Sequence, residues 1–265
     1  MIKMIKLELL KTMKNRYYLF SLLILFVMII YHASNHIIPY YGMIYAEYPE
    51  TVFNHWIGLE ISGISRVYYM VVVELAAFPI GMVYLEEKNN GYLNQIVIRA
   101  NRKWISLSKL IAYIIASFVL SLVPLLFDYM IAAVVLPSIR PISATFYYTV
   151  GGDSLMSSIF YTQPTVYILL YIILDGLIIC SFSLLVIPAS IFIKNRYASI
   201  CLPIVIFIVL RIVLSFVKLN NYIPEKALYP SMSDGVKLIN VFVEILIIGL
   251  PGVVSLLYEV NSYET

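Results

Sequence analysis

Charge is scarce in this sequence. Only 12% of its 265 residues are Asp, Glu, Lys or Arg, where a soluble domain carries about a quarter. A water-facing globular surface is therefore excluded. Cysteine is scarcer still. Cys180 and Cys201 both fall inside apolar runs, which excludes a disulfide framework and makes buried, inert thiols the expectation. None of the eleven glycines is followed by lysine, so the G-x-x-x-x-G-K-[ST] cradle for nucleotide phosphates is missing. H-E-x-x-H and G-x-S-x-G are missing too. His32 and His36 stand one helical turn apart and His55 follows in a loop. Two such histidines could hold a metal, but the sequence places no carboxylate or cysteine near them.

Hydrocarbon is abundant: 62% of the residues are hydrophobic. They come in runs of about 18 or more, the length that crosses roughly 30 Å of lipid. Six spans follow, at about 17–35, 66–85, 108–130, 166–188, 197–217 and 238–258. The runs are continuous and do not alternate, so they read as helices and not barrel strands. The expected fold is an all-α polytopic membrane protein, one transmembrane domain over 1–265, with no repeat, low-complexity tract or soluble domain. The first apolar run is too long for a secretion signal and no cleavage site follows it. Pro79, Pro124, Pro188, Pro203 and Pro251 lie in or at the ends of five spans, where kinks and not breaks are expected.

Lysine and arginine set the expected orientation. Lys3, Lys6, Lys11, Lys14 and Arg16 precede the first span. Lys88, Arg99, Arg102, Lys103 and Lys109 fall between the second and third, and Lys194 and Arg196 between the fourth and fifth. The other side holds Arg66, Arg140, Lys218, Lys226 and Lys237. The positive-inside bias puts both termini in the cytoplasm. In residues 1–16, Ile2, Ile5, Leu9 and Met13 share one arc of a helical wheel and four lysines share another. This pattern fits an amphipathic helix in the membrane interface or a basic topogenic flank. On the opposite side, loops rich in tyrosine, with Trp56 beside them, are expected to anchor at headgroup level.

Residues 86–107 form the longest polar stretch. A helix starting after Asn89-Asn90, with Gly91 easing the turn, would put Tyr92, Leu93, Ile96, Val97 and Ala100 on one arc. Glu86 and Glu87 precede its positive end, and Arg99 and Arg102 sit near its negative end. Such an element rests on lipid or fits a partner's groove.

Glu87, Gly91, Leu93, Arg99 and Arg102, followed by Lys109 at the start of the third span, resemble the cytoplasmic loop of type-2 ABC exporter permeases. The span count and basic N-terminal helix are similar along most of the chain. The resemblance implies that residues 1–16 are the interfacial elbow helix. It makes the 86–107 loop a coupling helix that docks on a separate ATPase, with Glu86, Glu87, Gly91, Tyr92, Leu93, Ile96, Val97, Arg99 and Arg102 as the coupling residues. ATP and Mg2+ would bind that ATPase, and this chain would bind no cofactor and no nucleic acid. A second permease copy or a related permease is implied, in the lipid bilayer of a bacterial cytoplasmic (plasma) membrane. The chain would not itself be catalytic. Two departures stand out: the loop reads IVIRAN, without the usual proline before its first arginine, and the outer loop before the last span is short.

Glu74, Asp128, Asp175, Arg211 and Glu244 lie inside spans, where charge is costly and normally faces a partner or a wet cavity. Asp128 and Glu244 are expected to reach headgroups. Glu74, Asp175 and Arg211 fit either an interhelical ion pair or an acidic outer cavity that favours a cationic substrate. An ion-coupled secondary transporter using these carboxylates is the alternative to an ATP-driven exporter. A sensor subunit or intramembrane enzyme is a third reading.

Overall fold

The computed structural model describes residues 2–43, 50–92, 102–142 and 148–262. Among these, nearly all regular structure is helical, and the one β-type pairing is a single bridge between Ser154 and Asp234. Six helices are long and apolar enough to cross a membrane, and the chain is a multi-pass membrane protein. The spans run Arg16–Tyr40, Gly63–Asn89, Arg102–Val135, Pro164–Phe192, Arg196–Phe216 and Leu238–Glu259, within a few residues of the sequence expectation.

Helix α1 is Ile2–Met13 and α2 is Arg16–His32, which Asn15 caps by accepting from the Tyr17 N–H. The first span continues through a π-turn at Ala33–Ile37 and a 3-10 turn at Ile38–Tyr40. Helix α3 is Gly63–Asn89 and α4 is Arg102–Val135. The fourth span is α5 (Pro164–Ser183) with α6 (Val186–Phe192), and the fifth is α7 (Arg196–Ile200) with α8 (Leu202–Phe216). Helix α9 is Leu238–Ser262. The spans built on α3 and α5 are mostly buried in the bundle, while those on α2, α8 and α9 turn much of their surface outward. The outward surface is apolar, with Leu23, Val27, Val209, Ile212, Leu246 and Val254 all exposed.

Two prolines follow local turns inside spans that run on without a break, as expected of kinked helices. Pro188 stands in the first turn of α6 and Pro203 in the first turn of α8, each just beyond a turn whose residues (Leu184 and Leu185, and Cys201) keep right-handed helical dihedrals. A first-turn proline loses no intrahelical hydrogen bond, so it sits there at little cost. Pro79, Pro124 and Pro251 lie inside continuous helices. The turn at Leu184 is used for packing: a Cβ on Gly252 would come 2.7 Å from the Leu184 carbonyl oxygen. Only glycine lets α9 cross there, as small residues do elsewhere between membrane helices.

Two expectations need correction. Trp56 does not sit at a headgroup boundary. It is wholly buried, and its Nε1–H donates to the Leu125 carbonyl at 3.3 Å. Of the two thiols, Cys180 is buried but Cys201 is exposed at the α7–α8 junction.

Candidate functional site

The last turn of α3 carries Glu86, Glu87 and Lys88 in succession. Consecutive residues on an α-helix point about 100° apart, so three in a row fan around more than half of the helix. Each finds different partners. Glu86 Oε1 accepts from the Tyr17 hydroxyl of α2 at 3.1 Å and from the Arg196 guanidinium of α7 at 3.0 Å. Glu87 is buried and pairs with Lys11 of α1 and Lys109 of α4. Lys88 donates to the Ser190 carbonyl of α6 at 3.1 Å and pairs with Glu259 of α9 at 2.8 Å. Tyr84, one turn earlier, donates to the same Glu259. One helical turn thus touches α1 and every other span.

The Glu87 arm is the most deeply placed. Lys109 has no exposed surface and sits between Glu87 and Glu8, the latter at 3.2 Å. Glu8 and Thr12 are the buried residues of α1. The helix therefore docks through a carboxylate, with Leu9 and Met13 beside it on the core and Ile2 left exposed. Two carboxylates meet two ammonium groups, Lys11 being the partly exposed one. A buried charge is tolerated only with this kind of pairing.

Directly beyond the hub, α3 stops. Asn89 is its last residue, Asn90 caps its C-terminus, and Gly91 takes φ +67°. Asn90 and Gly91 close α3, and Tyr92 is again helical, where the sequence expects the next helix to begin; the course of that helix lies outside the described residues. A left-handed glycine after the C-cap is a common helix stop. Tyr92 follows, with the Lys11 ammonium 4.0 Å from its ring centroid. Lys11, Asn15, Glu86, Glu87, Asn90 and Tyr92 line a cavity of about 430 Å³. Leu93, Ile96, Val97 and Arg99 lie outside the described residues. Arg102 is the first residue of α4.

At the opposite end of the bundle, His32 bridges two carboxylates. Its Nδ1 is 2.7 Å from Asp128 and its Nε2 is 2.5 Å from Glu60, and both His32 and Asp128 are wholly buried. Asp128 also accepts from the Ile57 N–H at 2.9 Å, so it does not reach headgroups as expected. His36 pairs with Glu60 at 2.6 Å, its ring stacked on that of His32 at 5.5 Å. The sequence placed no carboxylate near these histidines, and the fold brings two. Among the described residues, no group of three or more His, Cys, Asp or Glu is arranged to hold a metal ion. Tyr229, whose hydroxyl is pushed above the usual tyrosine range by burial, donates to the Glu60 carbonyl and closes the cluster from the loop before α9.

The remaining intramembrane charges do not assemble as an ion pair. Arg211 is more than half exposed and pairs with Glu225 at 2.8 Å, not with Glu74 or Asp175. Asp175 is wholly buried and accepts from the Tyr69 hydroxyl at 3.3 Å. Glu74 is half-buried. Glu244 is buried and does not reach headgroups. Arg211 and Glu244 line two different cavities.

Sequence reasoning missed Glu8, Lys11, Tyr17, Lys88, Arg196 and Glu259 as members of the hub. Glu8 left a signal, as the single acid among the cations of the first sixteen residues. Compared with known proteins, the chain matches no family model, no curated protein and no solved structure.

Proposed function

We propose that this chain is the membrane-spanning permease subunit of a type-2 ABC exporter, moved by a separate ATPase that meets the segment after Gly91. The observation that carries this reading is the hub at Glu86, Glu87 and Lys88. A force applied at the 91–101 segment enters the bundle through one helical turn, which is hydrogen-bonded or ion-paired to α1 and to all five other spans. A subunit without a nucleotide motif gains ATP-driven motion from such a turn. ATP must then bind one of the inward-open and outward-open states of the complex better than the other. On this reading α1 is the elbow helix, both termini face the cytoplasm, and two permease subunits face each other. The cargo is hydrophobic, amphipathic or cationic.

Two experiments test it. Gly91→Val places a β-branched residue at φ +67°, a strain of roughly 1–3 kcal/mol. This variant, and the pair Leu93→Asp with Ile96→Asp, should insert normally yet lose both transport and co-purification of an ATPase. An ATPase that fails to co-purify with the parent protein in mild detergent would remove the reading.

Orientation is tested separately, in a Cys201→Ser background because Cys201 is exposed. Cysteine at Asp153, on an exposed loop, should react with an impermeant maleimide added outside intact cells. Cysteine at Asn90, also exposed, should not. The opposite labelling pattern would put the hub outside, beyond reach of a cytoplasmic ATPase.

One observation favours a second reading. Asp175 lies wholly buried inside the bundle with a tyrosine hydroxyl as its partner, a placement used for ion-coupled transport. Transport that persists without any ATPase and collapses with the proton gradient would favour it.

A further inference from the structure

Helices α8 and α9 both line a groove of about 290 Å³ near the end of the bundle that holds Tyr229. Leu210 and Leu214 form one wall, Ile247 and Ile248 the other, and Tyr222 and Pro224 close the end. Glu244 lies among them. It is the one charged residue of the lining, it is only 7% exposed, and its Oε1 has no hydrogen-bond partner among the described residues. No cation pairs with it there either: the nearby Arg211 is held by Glu225.

A carboxyl group kept in an apolar groove without a partner holds its proton, or ionises when a positive group enters beside it. The surroundings limit what that can be. Ile247 is 66% exposed on the outward surface of the bundle, so the groove opens sideways to hydrocarbon and its occupant arrives from the membrane. Its volume is at the lower end for ligand pockets, room for one alkyl chain and too little for both chains of a diacyl lipid. We infer that the groove binds a single-chain amphiphile with a cationic amine head, the amine on Glu244 and the chain along Leu210, Leu214 and Ile248. The inference stands on this chain alone. The amphiphile is cargo only if the ATPase-driven reading holds, and a bound ligand in either case.

The test uses the full chain in nanodiscs of phosphatidylcholine and phosphatidylglycerol, with radiolabelled dodecyltrimethylammonium as the probe. A saturable component should appear above simple partition into lipid. Unlabelled dodecylamine should displace it, and dodecyl sulfate should not. Glu244→Gln should weaken binding by about ten-fold or more, the loss of one charge-assisted pair. Leu214→Trp should weaken it similarly by filling the groove while the carboxylate stays, which guards against misfolding of the first variant. Asp153→Asn, on an exposed loop at the same end, should bind as the parent does. Equal affinity in Glu244→Gln, equal competition by dodecyl sulfate, or no saturable component would each overturn the proposal. So would a disulfide between two copies through Leu214→Cys that the cation fails to suppress, since it would give the groove to a second copy of the chain. Because no ATPase is present, these outcomes are independent of the transport reading.

Discussion

Lys109→Met is expected to unfold at far lower temperature or detergent denaturant than the parent protein. Four charged groups meet at that point, Glu8 and Glu87 against Lys11 and Lys109, and three of them are almost fully buried. Removing the buried ammonium leaves two carboxylates with Lys11 alone, and Lys11 is partly in solvent. Breaking one side of a buried ion pair costs about 3–5 kcal/mol. Replacing the pair by apolar groups of similar volume is often nearly neutral by comparison, so Lys109→Met combined with Glu87→Leu should recover much of the loss. The recovery is a non-additivity that a double-mutant cycle measures directly. Size-exclusion thermal stability in mild detergent reads both. A single variant as stable as the parent would mean that Lys109 is not the centre of the clamp.

The second large effect is expected at the other end, from His32→Leu. His32 joins Glu60 to Asp128, and Asp128 has no exposed surface. Leucine fills the space but leaves Asp128 with the Ile57 N–H as its remaining partner. That loss is again about 3 kcal/mol or more. Asp128→Asn is the informative companion, since its oxygen still accepts from Ile57 and its amide still donates to the imidazole. It should lose only about 1 kcal/mol, the net value of an exchanged hydrogen bond. Reversible unfolding in mixed micelles orders the two variants. If Asp128→Asn proves the more damaging, the charge itself and not the hydrogen-bond pattern holds this end together.

The spans were legible because apolar run length follows directly from the thickness of hydrocarbon, whatever the tertiary partners are. The hub was half legible. Glu86, Glu87 and Lys109 stood out as charges beside apolar runs, but a partner such as Glu259 lies 175 residues from Tyr84, and no local period encodes that distance. The same limit applies to Asp128: depth along a helix is readable from the span ends, whereas burial depends on which neighbour turns toward it. Trp56 shows the converse. A tryptophan next to a span usually marks the interface, yet here the loop folds inward and the indole N–H finds a helix carbonyl. Proline was readable as a disturbance that leaves each span continuous, but not as the place of the local turn, which depends on neighbours such as Gly252 at Leu184.

The pairing of Lys88 and Tyr84 with Glu259 also has a consequence for biogenesis. A chain inserted from its N-terminus places α3 in the bilayer long before α9 leaves the ribosome. During that interval the α3 turn lacks its α9 partner, however well α1 and α4 have already docked. The contact closes only when the sixth span arrives and Gly252 slides past the Leu184 turn. The bundle thus carries its own completion check. A nascent chain truncated before Leu238 would retain five spans and an unsealed seam at their shared end, a form that membrane quality-control proteases could distinguish from the finished protein.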